Sequence, residues 1–103
     1  MSNLDNEGYP TEEFLEYIRN FDFEDAVNPN EYLQELEDGW WMPEWGFTLH
    51  RPYRGYRKLE LHTGGWSGNE DTIQALQDSF FFTMFWEKTY RGGHYYFKIP
   101  YIK

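Results

Sequence analysis

A change of hydrophobic period at Trp45 constrains this 103-residue chain more than any other feature. Before it, Phe14, Leu15, Ile18 and Phe21 fall at i, i+1, i+4 and i+7, one stripe of an amphipathic helix. Thr11 stands where an N-cap belongs, and Glu12 and Glu13 place carboxylates in a first turn, where the helix dipole favours them. A second start comes at Asn28-Pro29-Asn30-Glu31. Asn28 can cap, Pro29 suits the first helical position, and Glu31 completes a capping-box spacing. Tyr32, Leu33 and Leu36 continue the apolar face, and Gly39 is a natural stop. The spacing predicts helices over 11–21 and 29–38.

After Trp45 the pattern becomes strand-like. Gly46 to Tyr53 and Tyr56 to Thr63 flank Arg54-Gly55 and read as an antiparallel pair, with Leu59 and Leu61 on one face. Ser67, three residues before Glu70, reads as a second capping box opening a short helix through Ile73, Ala75 and Leu76. Phe80 to Tyr90 is dense in aromatics and reads as a strand, placed centrally because so apolar an edge invites aggregation. Gly92-Gly93 makes a tight turn and His94 to Ile99 returns. If Arg91 faces His94, then Tyr90 faces Tyr95, Lys88 faces Phe97 and Trp86 faces Ile99. The opposite side then takes Glu87 against Lys98 and Thr89 against Tyr96.

The expected class is α+β: two N-terminal helices, then β-hairpin, helix and β-hairpin, with a four-stranded antiparallel sheet carrying helices on one face. The expected organisation is a single domain over 1–103, with a mobile end at 1–10, an acidic helical part at 11–45 and a sheet part at 46–103. Aromatics make up 22% of the chain, far more than a disordered acidic tail carries, so most of it should fold. With no cysteine, disulfides, thiolate metal sites and cysteine nucleophiles are excluded together, and a reducing, intracellular setting fits. The apolar run Phe80 to Trp86 is too short to span a bilayer, so no membrane is expected as a partner.

Enzyme chemistry finds little footing. His50, His62 and His94 lack the close spacing of a zinc pair, and a hairpin centred near Arg54 sets His50 against Arg57, away from His62. Ser67 lies in Gly-Trp-Ser-Gly, which is not the G-x-S-x-G elbow, and capping is reason enough for a serine there. The loop Gly64-Gly65-Trp66-Ser67-Gly68-Asn69 lacks both the Walker lysine and the G-x-G-x-x-G spacing. No catalytic residue, metal or cofactor is expected, and the chain does not read as an enzyme.

Charge is the informative feature. Thirteen of the 18 acids and a single base, Arg19, precede residue 46; the other five acids and eight bases come after it. Glu12, Glu13 and Glu16 point away from the stripe of the first helix, and Glu31, Glu35 and Asp38 away from that of the second. Such an array can imitate the charge spacing of a nucleic-acid backbone, or simply solvate a helix face. Trp40, Trp41 and Trp45 crowd the linker behind these helices, as core plugs or interface anchors. In the back half Arg51, Arg54, Arg57 and Lys58 interleave with Tyr53 and Tyr56, the local look of a nucleic-acid contact. A basic tip that pairs with the chain's own acidic helices explains the same pattern.

The strings Gly65-Trp66-Ser67-Gly68-Asn69-Glu70 and Arg91-Gly92-Gly93-His94-Tyr95-Tyr96-Phe97 resemble a group of small proteins of phages and bacterial mobile elements, over about residues 46–99. Small acidic phage proteins also look like counter-defence inhibitors, the anti-CRISPR proteins among them. The resemblance implies an inhibitor that works by binding a host nucleic-acid-handling protein with a basic surface. On that reading the six named acids and the three linker tryptophans meet the partner. The alternative is a nucleic-acid-binding accessory protein that uses the basic 50–58 hairpin.

Overall fold

In a computed structural model, which describes residues 3–21 and 30–101, two helices precede the tryptophan linker, and four strands follow it with two more helices between the two strand pairs. Helix α1 (Glu12–Asn20) is capped by Thr11, whose hydroxyl accepts from the Phe14 N–H at 3.2 Å. It buries Phe14 and Ile18. Helix α2 (Asn30–Asp38) buries Tyr32, Leu33 and Leu36. The expected cap at Asn28-Pro29 lies outside the described residues. Gly39 ends α2 beneath the ring of Phe14, at a distance that leaves no room for a Cβ. The linker then makes a single turn, α3 (Pro43–Gly46), entered through Met42 in a left-handed conformation (φ 60°).

The sheet is four-stranded and antiparallel, in the order β1-β2-β4-β3: β1 (Phe47–Leu49), β2 (Tyr56–His62), β3 (Trp86–Tyr90) and β4 (His94–Pro100). This is the expected α+β architecture. Strand β1 is shorter than the period suggests, because Gly46 closes α3 and the ladder gives way at His50-Arg51-Pro52. Leu59, Leu61, Phe97 and Ile99 turn inward and share one core with the helices; Tyr32 stacks on Phe81, and Phe81 meets Phe97. Among the described residues no helix is long and apolar enough to cross a membrane.

Three local expectations are corrected. Helix α4 (Ser67–Gln77) has Trp66, not Ser67, at its N-cap, and Ser67 instead donates its hydroxyl to the Tyr9 hydroxyl at 3.2 Å. Phe80 to Phe85 is not a strand but a short helix, α5 (Phe80–Phe85). Ser79 starts it, accepting from the Phe82 N–H while donating to the Leu76 carbonyl, and Phe81 and Phe85 reach the core from one face at i and i+4. The apolar run therefore never becomes a strand, and β3, the remainder, is an exposed edge rather than the centre.

The last hairpin is also displaced by one residue. Arg91, Gly92 and Gly93 all sit in the turn, both glycines at positive φ, so Tyr90 pairs with His94, Thr89 with Tyr95 and Lys88 with Tyr96. A bulge then sets Trp86 opposite Phe97. A one-residue slip exchanges the faces of a strand. Lys88 and Tyr90 consequently share the outer face with Tyr96, while Trp86 is about half-exposed rather than buried.

Candidate functional site

Residues 3–10, read from composition as a mobile end, form a hydrogen-bonded turn. The Asp5 carboxylate accepts from the N–H groups of Glu7 and Tyr9, and Gly8 lends its carbonyl to the Trp66 indole at 3.1 Å. Tyr9 lies 4.9 Å from Trp66, and Trp66 5.8 Å from Trp41, ring centre to ring centre. This row of aromatics runs to the linker. Asn69 holds the linker in place: its side-chain oxygen accepts from the Trp41 N–H at 2.9 Å and its amide nitrogen donates to the Trp41 carbonyl at 3.1 Å.

The three linker tryptophans part company here. Trp40 is 1% exposed and is a core residue, which removes it from the candidate anchors. Trp41 and Trp45 are exposed, Trp45 at 60%, with Met42 between them. Two clefts flank the protruding pair. One, of about 460 Å³, is walled by Glu37, Asp38 and Glu44 beside Trp41 and Met42; the other, of about 320 Å³, lies between Trp45 and the Gly64-Gly65 loop. Trp41, Met42 and Trp45 thus form an exposed apolar patch beside an acidic rim.

Five of the six expected acids, Glu12, Glu13, Glu16, Glu31 and Asp38, are exposed. Glu12 pairs with Arg19 at 3.5 Å. Glu35 differs: it is half-buried and accepts from the Asn3 side chain at 2.8 Å. Glu37 and Glu44 stand closer to the tryptophans, and proximity in sequence to Trp41 and Trp45 was the signal for them.

The basic stretch folds onto the sheet rather than onto the acidic helices. Arg54 (φ 53°) and Gly55 (φ 83°) form the hairpin tip between Tyr53 and Tyr56, and Arg51 and Arg54 are exposed. Arg57 is half-buried and donates to the His50 carbonyl at 2.9 Å. Lys58 lies 3.5 Å from Glu87 of β3.

The histidines are connected, contrary to the spacing argument. Leu49 pairs with Leu59, which sets His50 beside Lys58 rather than Arg57 and turns it to the outer face. There His50 Nε2 meets Glu60 at 2.5 Å, Glu60 lies 3.4 Å from His62 Nε2, and His62 Nδ1 meets His94 Nδ1 at 2.7 Å. The His50 hydrogen bond holds the Glu60 carboxyl below the usual carboxylate range, against the opposing effect of burial. Among the described residues no three such groups are arranged to hold a metal ion. No protein family, curated protein or solved structure matches the chain.

Proposed function

We propose that this chain is an inhibitor of the phage counter-defence kind, anti-CRISPR-like, that binds a basic surface of a nucleic-acid-handling protein in the bacterial cytoplasm. The observation that carries the reading is the clamp of buried Asn69 on the Trp41 backbone, which fixes an exposed Trp41-Met42-Trp45 patch inside an acidic rim. An exposed left-handed Met42 costs roughly 1–2 kcal/mol, and such strain clusters at binding sites. Rigid aromatic anchors lose little entropy when they bind, and the surrounding carboxylates steer association with a basic partner. Binding rather than catalysis is the proposed mode. Trp41 and Trp45 are the anchors; Glu37, Asp38 and Glu44 form the inner rim, and the α1 and α2 acids the outer one.

The test is a pull-down from bacterial lysate with the partner identified, followed by titration of that partner. Glu37, Asp38 and Glu44 changed together to Lys should leave the fold intact and weaken binding at least tenfold, chiefly through slower association. Trp45→Ala should speed dissociation. A folded triple variant that binds the same partner as tightly as before would sink the reading.

A further inference from the structure

The outer face of the sheet carries a second, unrelated surface. Outward positions of β2, β4 and β3 fall into ranks across the strands: Lys58 opposite Lys98, Glu60 opposite Tyr96 opposite Lys88, and His62 opposite His94 opposite Tyr90. Tyr56, Tyr90, Lys58, Lys88 and Lys98 are exposed and the rest of these ranks half-buried; the helices lie on the other face. Like charges set directly opposite in a ladder are destabilising, and the Lys58–Glu87 contact offsets this for Lys58 alone. Arg51 and Arg54 add to the rank, and together these four cations border an open cleft of about 730 Å³ with Tyr53 and Tyr56. An anion in the cleft would relieve the repulsion.

The aromatic rings mark what kind of anion. Lys98 Nζ lies 4.3 Å from the centre of the Tyr56 ring, and Lys88 Nζ lies 5.5 Å and 5.2 Å from those of Tyr90 and Tyr96. Each cation covers a π-face in the free protein. A ligand with bases and phosphates suits both partners of each pair at once, since the base takes the ring and the lysine swings to the phosphate. Two acids face this surface, and both are engaged, Glu60 by His50 and His62 and Glu87 by Lys58. The acidic helices lie across the core in a molecule 22 Å through its thinnest dimension. Surface charges are screened over about 8 Å at physiological salt, so the net charge of −9 does not close this face to a polyanion.

We infer that the Tyr56–Tyr96–Tyr90 face of the sheet binds single-stranded nucleic acid, its bases stacked on the tyrosines and its phosphates held by Lys58, Lys88, Lys98, Arg51 and Arg54. Tyrosine faces and lysine point charges touch base and phosphate rather than the sugar 2′ position, so ribose and deoxyribose strands bind alike. A duplex hides its base faces and binds more weakly.

Fluorescence anisotropy with labelled oligothymidylate and oligouridylate of roughly 12 nucleotides and the full chain tests this. The expected result is binding at about 0.15 M salt, within about threefold for the two sugars, with a log–log salt slope of roughly −2 to −3 from several phosphate contacts. Tyr90→Ala and Lys88→Glu, both at exposed positions, should each lower affinity about tenfold with the circular dichroism unchanged. Trp45→Ala should leave oligonucleotide binding intact, which separates this face from the acidic one. Three results would overturn the inference: no anisotropy change for the folded protein, equal binding of polyglutamate, or loss on Trp45→Ala with retention on Tyr90→Ala.

Discussion

Asn69 and Trp41 exchange two hydrogen bonds, side-chain amide to main-chain amide, across 28 residues of sequence. The pairing joins the first turn of α4 to the linker that presents the tryptophans. Asn69 is 2% exposed, and its amide nitrogen also lies 3.4 Å from the Thr63 carbonyl. A single buried side chain thus ties three segments together, the first turn of α4, the tryptophan linker and the loop at Thr63.

Removing it should loosen all three. Asn69→Ala orphans the Trp41 N–H and should lower stability by about 2 kcal/mol. Asn69→Asp keeps the acceptor for the Trp41 N–H but sets a buried carboxylate against the Trp41 and Thr63 carbonyls, and should cost at least as much as Asn69→Ala. Thermal unfolding measures the cost, and the tryptophan emission of Asn69→Ala should shift red as Trp41 becomes mobile. An unchanged melting temperature would mean the clamp is not stabilising.

The core prediction separates two neighbouring aromatics. Phe81 is fully buried among Tyr32, Phe85 and Phe97, so Phe81→Ala should cost about 3–5 kcal/mol. Trp86 is 46% exposed, stacks on Phe82 and donates to the Thr89 hydroxyl at 2.7 Å. Its replacement by Ala should cost about 1 kcal/mol. Urea unfolding of both variants decides, and equal losses would restore a buried place for Trp86.

The pH profile should bend at both ends. Glu60 has a depressed pKa in the folded protein, so its contribution is present above the unfolded value of 4.5 and is lost as pH falls through the lower folded value. Glu60→Gln should flatten this acid limb. Burial pushes the Tyr17 hydroxyl up from 10.0 to about 12 and raises that of Tyr32 as well, with nearby Glu31 and Glu35 adding to the Tyr17 shift. A raised pKa stabilises below the unfolded value, and for Tyr17 that support disappears as pH climbs from 10.0 towards 12. Tyr17→Phe should flatten the alkaline limb. Melting temperatures across both ranges measure the effect.

What the sequence determined by itself is local. Thr11 caps α1 because a hydroxyl placed there reaches the Phe14 N–H whatever the rest of the chain does. Leu59, Leu61, Phe97 and Ile99 turn inward because alternation along a strand assigns them to one face. The parting of acids from bases at residue 46 is read directly from the sequence, whereas the rim that Glu37 and Glu44 make beside Trp41 is not. Tertiary structure decided the rest, wherever local preferences nearly balance. Phe80 to Phe85 has the residues of a strand, and packing of Phe81 against Tyr32, Phe85 and Phe97, behind the Ser79 cap, makes it a helix. Two or three residues can turn at Gly92-Gly93 with little difference in local energy, yet the choice moves Lys88 and Tyr90 across the sheet. His50, Glu60, His62 and His94 meet for the same reason: a register off by one residue sends every second side chain to the opposite face, and burial of the inward set, not the turn, selects the register.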